Sequence, residues 1–405
     1  MKELTTRCCI AGGGPAGIML GYLLARAGID VIVLEKHKDF FRDFRGDTVH
    51  PSTLTVLHEL GLLDDFLKLP HSEIHALSGN VFGHVFQLVD LKYVPGPCKF
   101  VAFIPQWDLL NFLSDRAKRF PGFHLLMETE ARALVEENGR TTGIIAGSNG
   151  DQLRISADLT VAADGRTSIL RTQSGLEVLE LGAPIDVLWF RLSKRPGEEH
   201  ETFGNIAAGG ILVAIDRLEY YQCALVIKKG GFDLIRSRGL DEFRQTVGRI
   251  APFLSDRVGE LRDWNDIKLL TVAVNRLKQW HKPGLLFIGD AAHAMSPVGG
   301  IGINLAIQDA VAASNILTEP LRRGAPSEAD LARFQSRREE PTVRTQALQV
   351  FIQDKLLNRV LDSTQRIGMP FAFRLLNWIP ILRAIPARTI GVGFRPEHVE
   401  TKAAV

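Results

Sequence analysis

Cysteine is scarce in this 405-residue chain: there are four, and none is spaced as C-x-x-C. A disulfide framework and a paired-thiol redox motif are therefore excluded, and a reducing cytoplasm is the expected compartment. Charge of one sign is also missing. Lys+Arg 48 against Asp+Glu 46 leaves a formal +2, which gives no basis for nucleic-acid binding. No eighteen uncharged apolar residues run together, so no membrane span is expected. The first apolar stretch is broken by Gly12-Gly13-Gly14-Pro15 without a cleavage pattern behind it, and does not read as a signal peptide. His37, His50 and His281 lack metal-ligand spacing, so no metal site is expected. The chain shows no G-x-S-x-G elbow, no internal repeat and no low-complexity tract.

What remains is ordinary in bulk, with 45% hydrophobic and 23% charged residues and enough length for two or three domains' worth of core. The first specific signal lies between an apolar run at 8–11 and a helix-like run at 18–27. There Gly12-Gly13-Gly14-Pro15-Ala16-Gly17 spells G-x-G-x-x-G. The context predicts a strand, a tight turn at Gly12 and a backbone open to a pyrophosphate at Gly14. Gly17 would let the next helix pack close to the strand, and that helix would offer free N–H groups and its positive dipole end. A second apolar run, 30–34, ends in Glu35, near the spacing of the acid that binds a ribose hydroxyl. Strand, glycines, helix, strand and acid together point to a dinucleotide with an adenosine end.

The first βαβ unit covers 5–36. Residues 52–62 read as helix with a stop at Gly61, 75–94 as short strands, and 106–120 as helix. A meander is expected over 123–163, with strands at 123–127, 131–136, 142–146, 153–156 and 158–163 and a turn at Ser148-Asn149-Gly150. Residues 211–215 and 220–227 predict a hairpin about Asp216-Arg217, and 234–253 a helix. A buried strand follows at 284–288, then a helix over 302–318 that should stop before Pro320. From Ser327 on, the chain reads as mostly helical. This order fits one nucleotide domain (1–72, 106–175, 266–345) interrupted by a second sheet (73–105, 176–265) and followed by a helical cap (346–405).

Two more strand ends carry chemistry. Residues 159–163 run into Asp164-Gly165, and 285–288 into Gly289-Asp290, with Pro297, Gly299, Gly300, Gly302 and Asn304 beyond. Asp290 at a strand's C-terminal end suits a polyol chain. Glycines before a helix start would let a flat ring lie on backbone N–H groups, with the dipole favouring negative charge there.

In order and spacing these three stretches resemble the class A flavoprotein monooxygenases, the p-hydroxybenzoate hydroxylase-like family, over residues 5–345. The likeness is weakest in 176–265. It implies an α/β fold: a Rossmann-type (GR2-like) FAD-binding domain interrupted by a mainly β substrate domain, with a helical C-terminal region. It implies FAD, with Gly12, Gly14, Pro15, Ala16 and Gly17 at the pyrophosphate and Glu35, with Lys36 beside it, at the adenosine ribose. Arg45 would stand near the phosphates and Gln106 would add a contact. Asp164 would serve both FAD and NAD(P)H. Gly289 and Asp290 would hold the ribityl chain, and Pro297, Gly300, Gly302, Ile303 and Asn304 would line the isoalloxazine. The implied reaction is hydroxylation of an electron-rich small molecule, aromatic by preference, by O₂ through a flavin C4a-hydroperoxide. NAD(P)H would be a transient co-substrate that needs no second Rossmann unit.

The chain departs from the family at Gln106-Trp107, where many relatives carry Arg. It departs again at Glu219 before Tyr220-Tyr221, which argues against a benzoate-type substrate. Tyr220, Tyr221 and His293 are the weak catalytic candidates. Their bland readings are half-buried strand tyrosines and a histidine with a structural hydrogen bond, the latter preferred for His293. Cys8 and Cys9 should point to opposite faces as packing residues. Arg45-Gly46-Asp47 is a coincidental adhesion tripeptide. The apolar segment 369–385 either rests on a membrane or docks as a cap, and Pro370 and Pro380 favour the cap. The rival readings are a flavin halogenase, whose Trp-x-Trp-x-Ile-Pro stretch is absent, a prenyl-chain reductase, and a non-redox Rab GDP-dissociation-inhibitor-like protein. The intact Gly289-Asp290 counts against the last. The expected partners are a small-molecule substrate and O₂, with a homodimer left open.

Overall fold

The computed structural model describes residues 2–41, 48–81, 83–148, 150–198, 204–217, 219–363, 375–376 and 378–404. Arg45 and most of 369–377 therefore lie outside the described residues, as does Asn149 of the turn expected there.

A parallel sheet draws strands from both halves of the chain. Its strands lie in the order Leu285–Phe287, Asp151–Ala162, Lys2–Ala11, Val31–Leu34 and Phe123–Leu126, and neighbours are parallel throughout. The apolar runs are continuous because the sheet is buried on both faces, so Cys8, Cys9, Ile10, Ala11, Val31 and Val33 are all inaccessible. Burial raises both adjacent thiols, Cys9 to about 12, which leaves them as inert packing. The helix Pro15–Arg26 lies on this sheet beside the helices Gln106–Ala117 and Gly302–Arg323. Its close approach depends on Gly21, where a Cβ would come within 2.7 Å of Val33 and 2.9 Å of Phe123.

The second sheet has seven strands: Lys268–Leu270, Ile185–Ser193, Tyr220–Lys228, Gly210–Asp216, Gly204–Ala207, Ala76–Val81 and His84–Asp90. Pairing alternates its side chains between two faces. One face presents Leu188, Phe190, Leu212, Tyr221 and Leu225 to Phe243, Val247 and Ile250 of the helix Leu240–Ile250. The other face presents Val187, Trp189, Val213 and Ala224.

This is the α/β architecture expected, with local departures. Phe123–Leu126 joins the parallel sheet instead of opening a meander. The strands expected at 153–156 and 158–163 are one strand, Asp151–Ala162. Its full register with Lys2–Ala11 keeps it unbroken, and Asp158 turns outward to pair with Arg7 at 2.6 Å. The helix expected over 234–253 is two, Phe232–Arg238 and Leu240–Ile250, because Gly239 at φ 98° breaks it. The helix Gly302–Arg323 runs through Pro320. The carbonyl of Ile316 loses its intrahelical partner, yet tertiary contacts hold the last turn. Leu321 is fully buried, its carbonyl accepts from Arg7 at 2.6 Å, and Arg322 donates to the Ala27 carbonyl at 2.7 Å. After the helix Ala384–Gly391 the chain is not helical. It lies along the first domain instead, with Ala404 N–H donating to the Arg26 carbonyl at 2.8 Å. No helix among the described residues is long and apolar enough to cross a membrane.

Candidate flavin site

Register is what assembles the site. Ala11 pairs with Ala162 on one side and Leu34 on the other, and Ala162 pairs with Phe287. Four strands thus end at one edge, and the residues that follow are Gly12, Asp164, Glu35 and Gly289-Asp290. Bonds just past the strands keep them there. Gly12 N–H donates to the Leu34 carbonyl at 2.8 Å, Ala163 N–H to Ala11 at 2.8 Å, and Ile288 N–H to Ala162 at 3.1 Å. This is the C-terminal edge, where open α/β sheets bind ligands. A polar groove lined by Thr5, Arg7, Asp30, Arg140 and Asp158 lies at the opposite end and takes no part.

The glycine turn divides its labour. Gly12 has φ +112°, and a Cβ there would meet the Ala163 carbonyl oxygen at 2.3 Å. A Cβ at Gly17 would sit 1.9 Å from the Gly12 carbonyl oxygen, whereas one at Gly14 would meet nothing within 4 Å. Gly12 and Gly17 are thus required by the protein itself. The bare space at Gly14 faces the start of the helix Pro15–Arg26, which has no side-chain cap and no acid in its first turn. A pyrophosphate fits this space and these N–H groups. The Glu35 carboxylate closes the turn, accepting from Gly13 N–H at 3.2 Å and His37 N–H at 3.0 Å. Lys36 beside it is exposed.

Asp164 is held at the second strand end. Burial raises its pKa, while the Ser168 hydroxyl and the backbone amides of Leu170 and Ile169 pull it down. None of these donors reaches its buried oxygens at full hydrogen-bonding geometry. Asp290, at the third strand end, pairs with Arg166 at 3.1 Å. Behind it, the wholly buried Asp309 accepts from Gly289 N–H at 2.9 Å and meets His293 Nε2 at 2.7 Å. Burial alone would raise the Asp309 pKa, but His293 and Arg338 outweigh it and hold the carboxyl low. His293 is turned into the core against Trp280, with ring centroids 4.8 Å apart.

The third stretch continues through Pro297 to a loop with Gly299 at φ 82° and Gly300 at φ 64°. Gln349 braces this loop, taking Ser296 N–H at 3.1 Å and donating to the Val298 carbonyl at 2.9 Å. Thr48 donates to the Gly300 carbonyl at 2.7 Å. Gly302 opens the long helix with space where a Cβ would stand. Ile303 is buried, and the Asn304 side chain accepts from the Thr53 hydroxyl. Gln106 begins its helix after the strand Val101–Phe103, which pairs with Thr48–Val49 and so adjoins this loop. His50, beside it, bonds the Ile390 carbonyl at 2.9 Å, and burial lowers its pKa to about 4.

The tyrosines separate. Tyr221 is buried against Phe253, at 5.6 Å between ring centroids, on the face covered by the helix. The structure therefore does not bring it to the strand ends. Tyr220 points to the other face, with the Arg191 guanidinium 4.7 Å over its ring. That face meets the loop of Gly299 and Gly300, since Val298 packs with Ile185, Ile211 and Val226. Trp189 and Val213 continue it to Phe103 and Val101. Asp309, Arg166, Thr48 and Gln349 went unread in the sequence. Only Asp309 left a trace there, as an acid among the alanines of an otherwise apolar helix face.

The fold and this edge define a protein that binds a flavin dinucleotide. A model of the FAD binding domain family matches residues 5–347. The chain is 33% identical over 391 residues to 6-methylpretetramide 4-monooxygenase of Streptomyces rimosus, covering 95% of this chain and 91% of that one. It is 26% identical over 318 residues to the dialkyldecalin synthase of Streptomyces rugosporus, covering 75% of this chain and 63% of that protein. OxyS anhydrotetracycline hydroxylase from Streptomyces rimosus shares the fold, with a TM-score of 0.73 at 21% identity over 96% of this chain and 76% of that one. The chain belongs to the class A FAD-dependent monooxygenases.

Proposed function

We propose that this enzyme hydroxylates a polycyclic aromatic compound of polyketide type, with NAD(P)H as reductant. The observation that carries this reading is the inner face of the second sheet. Val187, Trp189, Val213, Ala224 and Val226 form a broad apolar wall that ends at Val298 of the flavin loop. Such a wall suits a flat, multi-ring substrate better than a small carboxylate. The name of the 33% identical relative points the same way.

When bound, FAD supplies the electron transfer and oxygen activation. The chain's own residues bind, orient and exclude water. Gly14 and the first N–H groups of the helix Pro15–Arg26 hold the pyrophosphate, and Glu35 takes a ribose hydroxyl. Asp290 accepts from the ribityl hydroxyls. The start of the helix Gly302–Arg323 favours negative charge on the ring beside it. The apolar wall keeps bulk water from the reacting edge. The substrate part of this reading comprises 73–105 and 176–265.

The test incubates the FAD-loaded protein with NAD(P)H, isotopically labelled O₂ and polycyclic phenols. Faster NAD(P)H oxidation and one labelled oxygen in the product are expected. A substrate rearranged without O₂ uptake would instead favour a synthase role, for which the dialkyldecalin synthase relative is the precedent.

A further inference from the structure

The acid under the flavin-side turn does not stand alone. Asp309 is bonded on its second oxygen by Arg338 Nε at 2.9 Å. Arg338 is itself buried, and its NH1 reaches Glu397 Oε1 and the Arg395 carbonyl, each at 3.3 Å. Arg337 clamps the same Glu397 carboxylate with two bonds, at 2.8 and 3.0 Å. Gln308, the residue before Asp309, takes the Glu397 backbone N–H. The non-helical tail thus enters a buried network through one carboxylate, itself 4% exposed. The network ends on Gly289 N–H and His293, the two flanks of the turn that carries Asp290.

Charge explains why such a network has a function to discharge. Replacing buried ion pairs by apolar residues of similar volume is often neutral or stabilising, so stability alone is a weak reason to keep one. What Asp309 does that an apolar side chain would not is fix Gly289 N–H and the His293 ring on one oxygen. That sets the position of the intervening turn, where Gly289 adopts φ +58°. Arg338 needs a second acid, because Asp309 engages only its Nε. Glu397 provides it.

We infer that Glu397, acting through Arg338 and Asp309, positions the Gly289–Asp290 turn, so that the C-terminal tail sets how tightly the flavin's ribityl chain is held. These are positioning residues that touch no reacting atom. The inference rests on the assignment of Asp290 to the ribityl chain.

A double-mutant cycle on FAD affinity tests it, with apoprotein titrated by FAD and followed by flavin fluorescence. Glu397→Gln keeps shape and removes charge. It should weaken FAD binding on the order of tenfold, and in an Asp290→Ala background its effect should largely disappear, since coupled residues are not additive. Asn315→Ala serves as control: it breaks the tail's bonds at the His398 carbonyl and the Glu400 N–H, outside the network, and should leave FAD affinity within about twofold. A weakened Asp290→Ala beside an unchanged Glu397→Gln overturns the inference alone. Losses that multiply in the double variant also overturn it, because they mark a merely structural tail. An Asp290→Ala protein that binds FAD as tightly as the parent removes the ribityl assignment, and the inference with it.

Discussion

The strand-end edge of the parallel sheet and the inner face of the second sheet both border the loop of Gly299 and Gly300, but they are built differently. The edge works with backbone: N–H groups, bare glycines and two or three acids whose places follow from register. The inner face works with side chain: Trp189, Val213, Val226 and their neighbours, set by alternation along strands. A backbone site tolerates almost no change where chain meets chain, and it recognises what every relative must bind. A side-chain wall can be rebuilt residue by residue, which is where substrate choice can diverge without disturbing the cofactor.

The sharpest way to break this contrast is Gly17→Ala. Its methyl would lie 1.9 Å from the Gly12 carbonyl oxygen. Backbone cannot yield there, so about 3 kcal/mol or more of stability should go, and FAD binding with it. Urea unfolding of the apoprotein reads this, and an unchanged midpoint would refute the account of the turn. His50, between the flavin loop and the Ile390 carbonyl, gives the next effect. Its folded pKa is lowered from 6.5 to about 4. Between those values the unfolded chain binds the extra proton, so stability present above pH 6.5 is lost on acidification toward 4. The difference between the parent and His50→Gln should change by about 2–3 kcal/mol across that window in denaturant titrations.

Gly14→Ala separates the ligand from the fold. Nothing stands within 4 Å of the new methyl. Apoprotein stability should stay within about 0.5 kcal/mol, while FAD affinity falls about tenfold or more, near 1.4 kcal/mol. Equal losses in both would erase the distinction between Gly14 and Gly17. The smallest expected effect is on the other side of the comparison. Trp189→Ala should raise the KM for an aromatic substrate several-fold, about 1 kcal/mol, with FAD affinity unchanged. A drop in FAD affinity would move Trp189 to the cofactor side.

The sequence was legible where the chemistry is local. The runs at 8–11, 31–34 and 285–288 are apolar throughout and are followed by glycine or acid, so strand and turn could be read together. The hairpin at 211–227 followed from two apolar runs flanking the polar Asp216-Arg217. Other features depended on partners far along the chain. Nothing near Asp158 says that 153–163 is one strand, because its continuity comes from pairing with Lys2–Ala11. Pro320 stays helical through contacts to Arg7 and Ala27. Tyr220 and Tyr221 differ only by the face each takes, which the strand's neighbours decide. The preference for a structural His293 came without its partner, since Asp309 lies a helix away and the Glu397 beyond it at the far end of the chain.

The most direct test of the central claim, that register gathers four separate strand ends into one flavin grip, is an FAD titration of the stripped protein followed by anaerobic NAD(P)H. The account predicts one FAD bound per chain and a visible absorption bleached on reduction. A folded protein that takes up no FAD would contradict it.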